Sequence, residues 1–396
     1  MKLLTVKDEP EAFGGKRVFV RVDYNVVKGG EIQDTYRIDR TLPTIRFLLE
    51  AGAKQVVLAS HSGRPKGRDE SLSLRPIVRY LSERLSEEVG FVEDVLNGTA
   101  PEDRRVVLLE NLRFWKGEKD DDPEFAKALS RFGDEYVNDA FGVSHRRNAS
   151  VSAIARFYAK RYAGLLLAEE VEKLSEVRDN PEEPFHVLFG GAKIKDKIPV
   201  LEALVQKADR ILIGGAMAYT FLKAKGVSVG DSLVDEEHLS WAKDFLGKYG
   251  DKVVLPKDHV CATAKVEKCG EGYEVKDTED ENIPDGLIGY DIGWETIKTY
   301  RDILKRARMV FWNGPLGLFE CEDFECGTKL LAIFLTGFKE DGKKVVVGGG
   351  DTVAALSKFR IPYEEFHFVS TGGGAALEFL AGRTLPGIDI ITKKEG

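Results

Sequence analysis

The sequence predicts an α/β protein built as two doubly wound parallel-sheet domains, each a three-layer, Rossmann-like αβα unit, joined by a helix. Three observations lead there. The chain has 396 residues, beyond the size at which one hydrophobic core keeps growing. Short β-branched runs alternate with helix-period segments almost throughout, which is the pattern of parallel strands covered by helices. Ten such runs are also too many for one open sheet.

The runs fall in order at Arg17–Val22, Gln55–Ser60, Arg105–Leu109 and Tyr136–Asn138, then at Phe185–Phe189, Arg210–Gly214 and Lys252–Leu255. Met309–Trp312, Lys344–Val347 and Phe366–Ser370 complete the set. Amphipathic stretches such as Thr41–Glu50, Ile77–Glu87, Ile198–Ala208, Glu236–Tyr249 and Trp294–Arg306 lie between them. Residues 163–184 read as one helix, ended by Asn180-Pro181 and an acidic joint. That divides the chain into a first domain over 1–165, a helix and joint over 166–184, and a second domain over 185–379. The polar, turn-rich stretch Cys261–Asn282 reads as an antiparallel excursion without chemistry of its own.

Composition narrows the function. With 43% hydrophobic and 31% charged residues, the chain suits a soluble globular protein rather than a disordered one. A net charge of −8 argues against nucleic-acid binding through bulk positive charge. The longest charge-free stretches, Ile211–Leu222 and Phe366–Leu377, are too short to cross a bilayer. Residues 1–11 hold no apolar tract of the secretory kind, so a cytoplasmic protein without membrane partners is expected. Cys261, Cys269, Cys321 and Cys326 show no C-x-x-C spacing and no paired histidines, and read as reduced structural thiols.

Ligands of open α/β sheets gather beyond the carboxyl ends of the strands. In the first half those segments are basic: RVDYN (21–25), SHSGRPKGR (60–68), ENLRF (110–114) and NDAFGVSHRRNAS (138–150). Any one of these arginines alone is a solvated surface charge, and His61 alone a structural histidine. Recurrence changes that reading. A ring of Arg21, Arg37, His61, Arg64, Arg113, His145 and Arg146 suits a small, multiply anionic ligand, because guanidinium groups grip phosphate and carboxylate bidentately.

The second half follows its strands with glycine instead, in LFGGAKIKDK (188–197), LIGGAMA (212–218), WNGPLG (312–317), VVGGGDT (346–352) and STGGGAA (370–376). Glycine admits close backbone approach, and amides at a helix start favour phosphate. Lys193 and Lys197, four apart near a helix start, would share a face and reach phosphates. The Walker P-loop, the G-x-G-x-x-G fingerprint and the protein-kinase signatures are absent. An anion-binding half joined to a nucleotide-binding half suggests transfer between two separately bound substrates. A nicotinamide-dependent dehydrogenase lacks its glycine fingerprint here, and a two-domain solute-binding protein lacks its signal segment.

These residues resemble the phosphoglycerate kinase family along essentially the whole chain. RVDYN, DTYRIDRTLPTI, SHSGRPKG, LENLRF, NDAFGVSHRRNAS, GGAKIKDKI, GGAMAYTFLKA, WNGPLGLFE, GGGDTVAAL and STGGGAALEFLAG follow in family order. The departures are Ser62, where an apolar residue is usual, and Arg147 and Asn148, where Ala and His are usual. The resemblance implies reversible phosphoryl transfer from 1,3-bisphosphoglycerate to Mg-ADP, giving 3-phosphoglycerate and ATP, in a hinge-bending monomer. It carries over Asp23, Tyr24, Asn25, Arg37, His61, Ser62, Gly63, Arg64, Arg113 and Arg146 as binders of the glycerate substrate. Lys197, Gly214, Gly215, Gly289, Asn313, Glu320, Gly349, Gly350, Asp351 and Thr352 correspond to nucleotide positions, with Gly214 and Gly215 against the adenine and Asp351 at Mg²⁺. The tail 380–396 is expected to return to the first domain. Such chemistry needs no nucleophilic side chain, only alignment of two anions and neutralisation of the moving phosphoryl. Arg37, Lys193 and the amides around Gly373 are the candidates for that clamp.

Overall fold

The computed structural model describes residues 2–393. It divides into two compact units, one reaching Glu172 and resuming at Thr384, the other spanning Lys173–Arg383. The helix Leu165–Asp179 contains the first division.

In the first unit the long sheet strands are β1 (Arg17–Arg21), β2 (Gln55–Ala59), β3 (Val89–Val92), β4 (Val106–Leu109), β5 (Glu135–Asn138) and β6 (Arg161–Ala163). They are parallel, in the order β3-β4-β2-β1-β5-β6. Alternation along β1 feeds two cores. Val18 and Val20 pack with Val56, Leu58 and Ile45 on one face, and Phe19 with Val57, Val107 and Tyr136 on the other. A sheet covered on both faces explains why its strands read as nearly continuous apolar runs. Strands β3 and β6 were not expected. Each is a short edge strand, and β6, with three residues, is too brief to show a period.

The chain returns to this unit after Thr384. The Leu4 amide donates to the Thr392 carbonyl (2.8 Å), and the Asn138 side-chain amide to the Gly387 carbonyl (2.8 Å). Of the expected tail, residues 394–396 lie outside the described residues.

The second unit carries β7 (Phe185–Phe189), β8 (Arg210–Ile213), β9 (Val253–Val254), β10 (Met309–Asn313), β11 (Lys344–Gly348) and β12 (Phe368–Val369). These too are parallel, in the order β9-β8-β7-β10-β11-β12. The order reverses between β7 and β10, which opens a crevice beyond their carboxyl ends. The excursion is a three-stranded antiparallel sheet of His259–Ala262, Val275–Asp277 and Ile288–Ile292, so it extends past the expected Asn282.

Two expectations need correction. Cys269 and Cys321 form a disulfide, while Cys261 and Cys326 are free. The partners are 52 residues apart in sequence, so spacing could not announce a pair that only the fold assembles. Lys193 and Lys197 do not share an α-helical face: the α-helix starts at Ile198, after a 3-10 turn over Lys195–Lys197. Among the described residues, no helix is long and apolar enough to cross a membrane.

Candidate active site

In the first unit the basic segments converge at the carboxyl ends of β1, β2 and β4. Arg37 donates to Asp23 Oδ2 at 2.9 Å, and Asn25 Oδ1 accepts from the Gly63 amide at 2.8 Å. Asn111 joins two of the loops. Its Oδ1 accepts from the amides of Ser62 and Arg113 (both 3.1 Å), and its Nδ2 donates to the carbonyls of Ser62 and Leu72. The Arg113 guanidinium donates to the Gly63 carbonyl.

The charges are set by burial. Burial pulls the Arg113 guanidinium down to about 10, with Arg21 and Arg146 adding repulsion. Burial raises Asp23, but Arg37, His61 and Arg21 outweigh it and hold the carboxyl below its usual range. His61 lies well below its ordinary value, first because it is buried, with Asp23 opposing and Arg21, Arg113 and Arg37 reinforcing. It is a neutral imidazole near pH 7, and the expected ring of cations loses one member there. What remains is a group of mutually repelling guanidinium groups that an anion would relieve.

Not every expected side chain faces a ligand. Tyr24 is fully buried in the core, with its hydroxyl 2.7 Å from Thr41 Oγ1. Ser62 is also fully buried, and its hydroxyl donates to the Val27 carbonyl at 2.9 Å. Both shape the loops from beneath. Arg64 and Arg146 are exposed, and Arg146 Nε donates to His145 Nε2 at 3.2 Å.

Arg21 is likewise internal. Its Nε donates to Ser150 Oγ (2.7 Å), its Nη2 lies 3.2 Å from His61 Nδ1, and Glu118 Oε1 stands 3.6 Å from it. Ser150 in turn donates to Glu118 through its hydroxyl (2.6 Å) and amide (3.0 Å). Because a guanidinium can only donate, it leaves His61 Nδ1 as acceptor and the ring proton on Nε2. Glu118 carried no signal in the sequence, since it lies outside the segments that follow strands, and Ser150 closes the NDAFGVSHRRNAS segment without having been singled out.

In the second unit a cavity of about 660 Å³ opens at the β7–β10 reversal. Lys193, Lys195, Lys197, Asn313, Asp351 and Gly373 are among its lining residues. Lys193 is exposed, whereas Lys197 is buried. The Lys197 ammonium donates to the Gly190 carbonyl and to Asn313 through its carbonyl (3.1 Å) and Oδ1 (2.9 Å). Burial pushes this ammonium down to about 7, against the carboxylates of Asp351 and Asp196. With Oδ1 engaged, Asn313 Nδ2 is a buried donor with no partner.

Gly349 and Gly350 line the same cavity at the start of the helix Gly350–Lys358. Gly349 caps that helix at φ 95°, a conformation open to glycine. Thr352 sits beneath and ties two strand ends together, accepting from the Gly314 amide (2.7 Å) and donating to the Gly348 carbonyl (2.9 Å).

A second cavity of about 510 Å³ shares Gly191, Ala192 and Asp351 with the first. Its walls include Gly215, Gly289, Tyr290, Leu318, Phe319 and Glu320. Gly215, at φ +66°, lets the chain pass so close that an added Cβ would meet the Gly191 amide nitrogen at 2.5 Å. Gly214 does not line the cavity: it is packed against Leu316 underneath. Leu318 and Phe319 stood within a glycine-led motif but were not singled out. Lys265, from the excursion expected to lack chemistry, also lines this cavity.

Asp351 is the acid that lines both cavities. It is exposed at the second position of its helix. One accessible carboxylate beside a phosphate-sized space fits Mg²⁺, which takes one or two carboxylates and completes its shell with phosphate oxygens and water.

The family model described as Phosphoglycerate kinase matches residues 8–383. The phosphoglycerate kinase of Thermosipho africanus is 46% identical over 407 aligned positions, covering 100% of this chain and 99% of the relative. That of Rubrobacter xylanophilus is 45% identical, covering 96% of each. The solved phosphoglycerate kinase of Coxiella burnetii superposes with a TM-score of 0.84 at 38% identity, covering 98% of both chains. The Pyrococcus horikoshii enzyme gives 0.83 at 31% identity, again over 98% of both. The chain belongs to the phosphoglycerate kinase family, phosphotransferases with a carboxyl group as acceptor.

Proposed function

We propose that the chain transfers a phosphoryl group reversibly between 1,3-bisphosphoglycerate and Mg-ADP, as a cytoplasmic monomer. The observation that carries this reading is the pairing of Lys197 with Asn313. They place a buried cation and an unpartnered buried amide donor on a cavity bordered by a helix start. A buried donor without an acceptor is rare, and an entering polyphosphate would accept from Asn313 Nδ2 and supply charge opposite Lys197. The neighbouring cavity, walled by Leu318, Phe319 and Gly215, suits a flat base, with Glu320 at the ribose.

In the first unit, Arg37, His61, Arg64, Arg113 and Arg146, with Asp23 and Asn25, would hold the phosphate and carboxylate of the glycerate. Neutral His61, with its proton on Nε2, donates one hydrogen bond and adds no charge. Magnesium, held by Asp351, would neutralise phosphate charge and orient the nucleotide. No side chain need attack, because the acceptor oxygen is already anionic and the leaving group is a stable carboxylate. Direct transfer requires the two bound substrates to meet with water excluded, so domain closure belongs to this proposal, with Arg37, Lys193 and the Gly373 region at the moving group.

A coupled assay for ATP formation from 1,3-bisphosphoglycerate and Mg-ADP tests it. Arg37→Ala and Lys193→Ala should each lower kcat by about two orders of magnitude, roughly 3 kcal/mol, the scale of one preorganised donor. Asp351→Ala should require more magnesium at unchanged 3-phosphoglycerate affinity. A parent chain inactive in this assay, or an Arg37→Ala variant with full kcat, would refute the respective assignment.

A further inference from the structure

The second cavity is walled by three segments, two of which the disulfide ties together. Ile288, Gly289 and Tyr290 come from the strand Ile288–Ile292, Leu318, Phe319 and Glu320 from the segment after β10, and Lys265 from the turn of the excursion. Cys321 directly follows Glu320 and is buried, while Cys269, four residues beyond Lys265, is exposed. Beneath the walls Cys321 packs with Phe324, Tyr290 and Leu318 in one apolar cluster. Tyr290 accepts from the Val266 amide through its hydroxyl (3.0 Å) and from the Leu318 amide through its carbonyl (2.9 Å). The segment is also pinned by Asp291, whose Oδ2 accepts from the Gly327 amide at 2.8 Å. Among the described residues the disulfide is the covalent link between the turn that carries Lys265 and the Leu318–Glu320 wall, and Tyr273 adds a hydrogen bond to Asp323 Oδ2 (2.8 Å) and packing on the Phe324 ring.

We propose that the Cys269–Cys321 disulfide is a positioning element of the nucleotide cavity, and that its reduction by a dithiol weakens nucleotide binding. The inference rests on the reading of this cavity as the nucleotide site. A dithiol thiolate attacks the exposed Cys269 sulfur, a mixed disulfide forms, and Cys321 leaves as thiolate and takes up a proton. The second thiol of the reductant then displaces Cys269, so two protein thiols and one oxidised dithiol result. Freed of the link, the turn and the wall must be re-ordered by each nucleotide that binds.

The test is calorimetry of Mg-ADP and of 3-phosphoglycerate on the full chain, oxidised, reduced with dithiothreitol, and reoxidised. Thiol titration under denaturing conditions follows the state of the bond. Reduction should weaken Mg-ADP by about threefold to tenfold, the cost of ordering one or two further side chains. Reoxidation should restore it, and 3-phosphoglycerate affinity should not move. Cys269→Ser should show the weaker Mg-ADP affinity with or without dithiothreitol. Full reduction with unchanged Mg-ADP affinity and only a lower melting temperature would make the disulfide a structural staple and overturn the inference. Leu318→Glu distinguishes the underlying reading: an oxidised variant that binds Mg-ADP as the parent does would remove the nucleotide from this cavity, and the inference with it.

Discussion

Replacing Arg21 by Met removes the cation that faces Glu118 inside the first unit. Both side chains are 1% exposed and their charged atoms lie 3.6 Å apart. At that separation the attraction is about 4–5 kcal/mol for an effective dielectric near 20. Breaking a buried pair by removing one partner costs roughly 3–5 kcal/mol, because the other charge is stranded. Glu118 keeps the amide and hydroxyl of Ser150 as donors, so the lower end applies, about 3 kcal/mol. The cause is charge rather than volume. Arg21→Met combined with Glu118→Leu should therefore recover about 2 kcal/mol or more. Two-state analysis is not licensed for a chain of two units, so the assay is hydrogen exchange resolved by peptide. Amides of β1 and β5 should lose protection, and those of β7 and β10 should not. A loss below about 1 kcal/mol, or a double variant no better than the single, would refute the buried-pair argument.

Three further outcomes follow from the same geometry. Mg-ADP binding near pH 8 should take up protons, because Lys197, held at about 7 in the free protein, is recharged by phosphate; calorimetry in buffers of different ionisation heat reads this, and Lys197→Ala should abolish it. Burial raises Asp291 to about 8 and Asp139 to about 7. On these two carboxyls the folded chain keeps protons that the unfolded chain has lost, so their contribution to stability falls as pH rises from about 4 through 8; melting temperatures of Asp291→Asn should gain on the parent's across that window. Gly215→Ala should cost about 1–3 kcal/mol of backbone strain at its positive φ and weaken nucleotide binding, since the new Cβ meets Gly191; unchanged affinity for Mg-ADP would dissociate this glycine from the cavity.

The sequence by itself determined ten of the twelve strands of the two large sheets and their pairing class. Buried parallel strands such as Phe185–Phe189 and Met309–Asn313 announce themselves as apolar runs because both faces are covered. The loops were legible because the same residue type, charge in the first half and glycine in the second, recurs directly after successive strands. Local pattern went no further. It could not separate Lys193, exposed, from Lys197, buried beside Asn313. The resemblance gave Tyr24 and Ser62 the same standing as Arg37, although those two are fully buried. The Arg21–Ser150–Glu118 network and the Cys269–Cys321 bond join residues 129, 32 and 52 positions apart. Long-range partners of this kind exist only once the sheets are assembled. Burial then decides which charges are neutralised and which remain available to a ligand, and burial is a property of the packed chain rather than of any segment in it.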